Sequence, residues 1–129
     1  MKLLGIDYGQ KRIGLSIGES DVKIATIFGI IENKGEVVKE VCDMIKKEGI
    51  DRVIVGIPRS HEGQVTGIAR EVKHFIQALI VSAGVPVITV NEYASSKEAR
   101  SRMMNSDMGG NDDAIAAMIV LQSYLDSQS

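Results

Sequence analysis

The chain has 129 residues, 44% of them hydrophobic, and a formal net charge of −2. This predicts one compact domain over residues 1–129, and it excludes a global attraction to polyanions, so nucleic-acid binding requires a local basic patch or bound metal ions. The single cysteine cannot form an internal disulfide, and no apolar run reaches the length of a membrane span. We therefore expect a cytoplasmic protein without membrane contact.

Three short strands are predicted at the start of the chain, at about 2–7, 12–18 and 23–31. The segments between them are short and contain glycine or polar residues, which tight connections prefer. This spacing predicts a meander of three consecutive strands.

The hydrophobic period changes to that of a helix from residue 36. A first helix is predicted to end at Gly49, followed by a buried strand at 52–56, a second helix at about 66–82 and a fifth strand at 86–90. Ser95 and Glu98 form a capping-box pattern that begins a short third helix, and Asn111 or Asp112 caps a last helix that reaches about Asp126. The order βββαβαβαα predicts an α/β fold with a single mixed five-stranded sheet flanked by helices.

Carboxylates stand at the ends of these core elements. Asp7 ends the first apolar run, Glu92 follows the fifth strand, and Asp112 and Asp113 open the last helix. Each acid alone is an ordinary surface or helix-capping residue. As a set, they are the hard oxygen ligands that Mg²⁺ requires, and strand ends are where α/β proteins place functional groups. The set therefore indicates phosphodiester chemistry at a metal centre.

Four segments of the chain together form a recognisable pattern. They are Gly5-Ile6-Asp7-Tyr8-Gly9-x-Lys11-Arg12-Ile13-Gly14, Val55-Gly56-Ile57-Pro58 with Glu62-Gly63, Asn91-Glu92 with Ser95-Ser96-x-Glu98-Ala99, and Asp113-Ala114-Ile115-Ala116-Ala117 through Leu121-Gln122-Ser123-Tyr124-Leu125. In this order, over almost the whole chain, the segments resemble the YqgF/RuvX family of Holliday-junction resolvase-like proteins. The resemblance implies an RNase H-like fold and a nuclease that uses Mg²⁺ or Mn²⁺.

The resemblance also implies that Asp7, Glu92 and Asp113 are the catalytic residues and metal ligands, with Asp7 on a central strand as the bridging ligand. Two ions so held activate a water and stabilise the leaving oxygen. Adjacent residues on a helix point about 100° apart, so one of Asp112 and Asp113 faces the metals. We favour Asp113, because it shares a face with small residues expected against the sheet.

Four residues are candidates for nucleic-acid contact: Lys11, Arg12, Arg59 and Ser95. Solvated turn cations and a helix-capping serine are the alternative interpretations. Two features depart from the family. Tyr93 stands where the family usually has an arginine, and residues 105–111 replace a loop that is usually rich in lysine and arginine. Both departures are expected to weaken substrate binding.

The family implies two substrate classes, four-way DNA junctions and the precursor of 16S rRNA. RNA processing is favoured, because a pre-ribosomal particle would supply the positioning that a small acidic protein lacks. Junction resolution would require a symmetric homodimer rather than a monomer. Two alternatives stay open: a nucleic-acid-binding or ribosome-associated module with weak or no catalysis, and the phosphate-binding turn of actin-like ATPases. The chain length disfavours the second.

Overall fold

The computed structural model describes residues 1–57, 67–91 and 112–128. The elements are β1 Lys2–Tyr8, β2 Arg12–Glu19, β3 Ile24–Glu32, α1 Val37–Glu48, β4 Arg52–Ile57, α2 Gly67–Ala83, β5 Val87–Asn91 and α3 Asp112–Ser127. Each element predicted within these ranges is confirmed, with ends that differ by no more than one residue. The short helix predicted to begin at Ser95 lies outside the described residues.

The five described strands form one sheet in the order β3-β2-β1-β4-β5. β1, β2 and β3 pair antiparallel, which confirms the predicted meander, and β1, β4 and β5 pair parallel. The sheet is therefore mixed, and β1 lies at its centre. Because parallel strands end at the same edge, Asp7, Gly56 and Val90 lie in one row across β1, β4 and β5.

The two faces of the sheet follow the alternation of side chains along each strand. On one face, Leu4, Ile6 and their neighbours on β2 and β4 pack with residues of α1 and α2. Leu3 and Ile54 point to the opposite face, where they pack with residues of α3. Cys42 of α1 is buried on the face of the sheet that α1 and α2 cover. In the described segments no helix is long and apolar enough to cross a membrane.

Glycines on the sheet let α3 approach β1 and β2 closely. A Cβ on Gly5 would lie 2.7 Å from the Cβ of Leu121 and 2.9 Å from the carbonyl oxygen of Ala117. The hydroxyl of Ser16, which is fully buried on β2, donates to that same carbonyl at 2.7 Å. These contacts define where α3 lies along the sheet, and its first residues carry a predicted metal ligand.

The outer edge of β3 is protected at two points. The side-chain amide of Gln122 on α3 accepts a hydrogen bond from the Ala25 N–H and donates to the Lys23 carbonyl, each at 2.9 Å. The pairing of β3 with β2 also shifts around Phe28, which forms a bulge. Occupied edge groups and bulges both prevent a sheet edge from pairing with another chain.

Candidate active site

Asp7 lies near the carboxyl end of the central strand. Its Cα partners are Gly14 on β2 and Gly56 on β4, so the flanking strands place no side chain beside its carboxylate. Asp7 is 8% exposed, and it is one of two buried polar residues among those that the structure describes. A carboxylate at such a position is costly to bury unless hydrogen bonds or cations compensate its charge. Its placement therefore fits a functional group better than a surface acid.

Asp113 reaches this region because the start of α3 lies directly on Gly14. A Cβ on Gly14 would overlap the backbone carbonyl of Asp113 and would lie 2.8 Å from the backbone nitrogen of Ala114. Gly14 is also the direct partner of Asp7, and antiparallel partners have Cα atoms about 4.5–5.5 Å apart. The structure thus brings Asp7 and Asp113 to neighbouring positions on the same face of the sheet, although they are far apart in sequence.

The carboxylate of Asp113 forms an ion pair with Arg12. The distance between Arg12 Nε and Asp113 Oδ2 is 3.1 Å, and the exposed fractions of the two side chains are 64% and 29%. Arg12 begins β2 and was expected from the sequence to contact a phosphate. In the structure its guanidinium contacts one of the predicted metal ligands.

The turn that carries Lys11 and Arg12 is tied to the end of β3 by Asn33. The side-chain amide of Asn33 donates to the Gly9 carbonyl at 2.7 Å, and its backbone N–H donates to the Lys11 carbonyl at 2.9 Å. Sequence reasoning missed Asn33. Its only local signal is that of an asparagine shortly after a predicted strand, which is typical of many turns. Its partners in the β1–β2 turn are visible only in the folded chain.

A cleft of about 550 Å³ lies beside this turn. Its lining residues are all polar or charged: Gln10, Lys11, Arg12, Glu32, Asn33 and Lys34. Lys34 pairs with Glu32 at 2.8 Å, and this contact lowers the pKa of the exposed Glu32 carboxyl. The cleft therefore combines three basic side chains with one acid next to the Asp7 strand end.

Three predicted site residues, Glu92, Arg59 and Ser95, lie outside the described residues, as do the side chain of Asp112, Tyr93 and the segment 105–111. Within 1–57, 67–91 and 112–128, no group of three or more histidine, cysteine or acidic side chains is placed to hold a metal. Asp7 and Asp113 supply two sets of hard oxygen donors at neighbouring positions, and β5 leads directly into Glu92. This donor chemistry fits Mg²⁺ or Mn²⁺.

The chain is similar to proteins that are named as nucleases or resolvases. A family model described as "RuvX: Holliday junction resolvase" matches residues 1–127. A Burkholderia ambifaria protein named "Putative pre-16S rRNA nuclease" is 34% identical over 98% of this chain and 90% of its own length. A Synechococcus protein of the same name is 32% identical over 99% of this chain and 79% of its own length.

The fold is similar to that of a resolvase of known structure. Thermus thermophilus RuvC, solved in complex with a Holliday junction substrate, superimposes with a TM-score of 0.68 at 17% identity. The match covers 99% of this chain and 96% of RuvC. At this identity the similarity is one of fold alone. It confirms the predicted RNase H-like class, with its mixed five-stranded sheet.

Proposed function

The chain belongs to the RuvX family of Holliday junction resolvase-like proteins, and we propose that it is a metal-dependent endonuclease that hydrolyses phosphodiester bonds in structured nucleic acid. One observation carries the proposal. The buried Asp7 of the central strand lies one strand away from the start of α3, where Asp113 is held against Gly14. Two neighbouring carboxylates, one at the end of β1 and one at the start of α3, with a third expected at Glu92 after β5, are the oxygen ligands that a divalent-metal centre requires.

In this proposal Asp7, Glu92 and Asp113 would hold Mg²⁺ or Mn²⁺, with Asp7 on the central strand β1. The chemistry that such ions supply is activation of a water and stabilisation of the leaving oxygen. The close contact of α3 with Gly14 fixes the position of Asp113 before substrate arrives. Preorganised ligands of this kind avoid the cost of ordering a site during the reaction.

Phosphate positioning is assigned to the cations on the β1–β2 turn. Lys11 is exposed, Arg12 is mostly exposed, and both follow Asp7 closely in the chain. Contacts to phosphates orient a nucleic acid but do not read its sequence. Arg59 and Ser95 are proposed as further contacts of the same kind. With a net charge of −2, the chain depends on these local cations for binding.

The proposed physiological substrate is pre-16S rRNA, on the strength of relatives that carry this substrate in their names. A pre-ribosomal particle in the cytoplasm is the proposed partner. Four-way DNA is the second substrate, supported by the similarity to the fold of RuvC. Only the second requires a symmetric homodimer, since a resolvase must cut two opposed strands.

The test is cleavage of a labelled pre-16S rRNA fragment and a labelled four-way DNA junction in Mg²⁺, Mn²⁺ or chelator. The variant Asp7→Asn is compared with the native chain, and Asp43→Asn, which changes an exposed acid on α1, is the matched control. We expect metal-dependent cutting that Asp7→Asn lowers at least about 100-fold and that the control retains. If the native chain binds either nucleic acid as well in chelator as in Mg²⁺ or Mn²⁺, and cuts neither, the protein is a binding module instead.

A further inference from the structure

Arg12 and a divalent cation compete for the same carboxylate. The guanidinium of Arg12 lies 3.1 Å from Asp113 Oδ2, and Asp113 is the proposed ligand on α3. A cation that binds this carboxylate meets an existing positive charge at short range, and like charges at such distances repel each other. The ion pair and a fully charged metal centre therefore disfavour each other.

The two partners differ in their freedom to move. The backbone of Asp113 is held against Gly14, so its short side chain moves only about a fixed Cα. The Arg12 side chain is 64% exposed, and a long exposed side chain changes rotamer at little cost. When a metal binds, the side chain that moves is that of Arg12.

Once it leaves Asp113, the Arg12 guanidinium can bind a second anionic group nearby. The cleft next to the β1–β2 turn is lined by Lys11, Arg12 and Lys34, and Asn33 holds the turn at the cleft wall. Arginine presents five donors in a planar fork that matches a phosphate. The guanidinium therefore exchanges one anionic partner, the Asp113 carboxylate, for another, a nucleic-acid phosphate.

We propose that Arg12 is a metal-released positioning residue: it neutralises Asp113 before metal binds, and metal binding frees its guanidinium to hold a backbone phosphate of the substrate. The proposal rests on the proposed function, because it requires Asp113 to be a metal ligand. Since coupling between two binding events is reciprocal, the bound polyanion also raises the affinity for metal. The ion pair thus makes substrate binding and metal binding cooperative.

The first test measures Mn²⁺ affinity by calorimetry in the absence of nucleic acid, for the native chain, Arg12→Gln, Arg12→Lys, Lys11→Gln and Asp7→Asn. Lys11→Gln is the matched control, because it removes the same charge from the same turn, and Lys11 has no ion pair within the described part of the chain. We expect Arg12→Gln to bind Mn²⁺ about three- to tenfold more tightly than the native chain, a modest gain because Arg12 is exposed. The Mn²⁺ affinity of Arg12→Lys should stay near the native value, and that of Lys11→Gln should differ from it by less than about twofold.

The outcomes separate the inference from the function on which it rests. If the native chain binds Mn²⁺ and Asp7→Asn does not, but Arg12→Gln binds no more tightly than Lys11→Gln, the competition is refuted and the metal centre stands. If the native chain and Asp7→Asn bind Mn²⁺ equally or not at all, the metal centre itself is refuted, and the role of Arg12 with it.

The second test addresses the released state. Binding of a fluorescent four-way DNA junction is measured in chelator and in Ca²⁺, a hard cation that also takes oxygen ligands, with gel analysis to check that the junction stays intact. Ca²⁺ should raise the affinity for the junction in the native chain and in Lys11→Gln. The increase in Arg12→Gln should be smaller. An equal factor in all three proteins would show that Arg12 does not gain a phosphate when metal binds.

Discussion

Gly14→Ala is the substitution that most directly tests how the candidate site is built. A Cβ at this position would overlap the carbonyl of Asp113 and would lie 2.8 Å from the Ala114 nitrogen. Ordinary contacts between nonbonded heavy atoms lie near 3.5 Å, so the start of α3 must move by about 1 Å or more. The atoms in the way belong to the backbone, so no side-chain rotation can relieve the overlap.

Two effects follow from that displacement. Forcing an extra carbon into a packed interface costs about 1–3 kcal/mol, so the free energy of unfolding should fall by that amount. A shift of about 1 Å in Asp113 also disturbs its geometry relative to Asp7, so Mn²⁺ affinity should fall by about tenfold or more. Unfolding in urea measures the first effect and calorimetric titration with Mn²⁺ measures the second.

Gly29→Ala is the matched control for this substitution. Gly29 is also a strand glycine outside the left-handed region, and a Cβ there has no neighbour within 4 Å. The free energy of unfolding of Gly29→Ala should stay within about 0.5 kcal/mol of the native value or increase slightly, because alanine loses less backbone entropy on folding than glycine. The reasoning is refuted if Gly14→Ala unfolds at the same urea concentration as Gly29→Ala and binds Mn²⁺ equally well.

Three further outcomes test the packing of α3 and α1. Ser16→Ala should lower the free energy of unfolding by about 1–2 kcal/mol, because it removes a buried hydrogen bond to Ala117. Ser127→Ala at the exposed end of α3 should have little effect on that free energy. Equal losses in the two variants would contradict this reasoning. Gln122→Ala should cost about 1 kcal/mol and increase self-association in sedimentation, because it exposes the edge of β3; unchanged sedimentation would show that the edge is protected otherwise. Burial raises the pKa of the Cys42 thiol, so iodoacetamide at neutral pH should label it more slowly in the native chain than in urea; equal rates would contradict the buried position.

Local patterns predicted the elements well. The continuous apolar runs of β1 and β4, and the helical spacing before Gly49, give element ends within one residue of the structure. Gly49 has φ +67° and ends α1 as a left-handed cap, which is the conformation that glycine adopts readily. These signals are local in the chain, so sequence alone contains them.

The relations between distant residues were less accessible. The central position of β1 was expected only through the family resemblance, because strand order depends on how helices cross between strands. Gly14 was visible as part of a motif, but its contact with Asp113 depends on where α3 lies across the sheet. The ion pair of Arg12 with Asp113 depends on the same long-range contact. The hydrogen bond from Asn33 to the β1–β2 turn likewise depends on where β3 lies in the sheet. The roles of all the proposed site residues stay predictions, and Glu92, Arg59 and Ser95 also lie outside the described residues.

The central claim is that Asp7 and Asp113 hold a divalent metal. The most direct measurement is anomalous diffraction from crystals grown with Mn²⁺, for the native chain and for Asp7→Asn. The account predicts an anomalous peak within about 2.5 Å of oxygens of both carboxylates in the native chain, and no such peak in the variant. A peak elsewhere, or carboxylates that remain bound only to protein groups at saturating Mn²⁺, would contradict it.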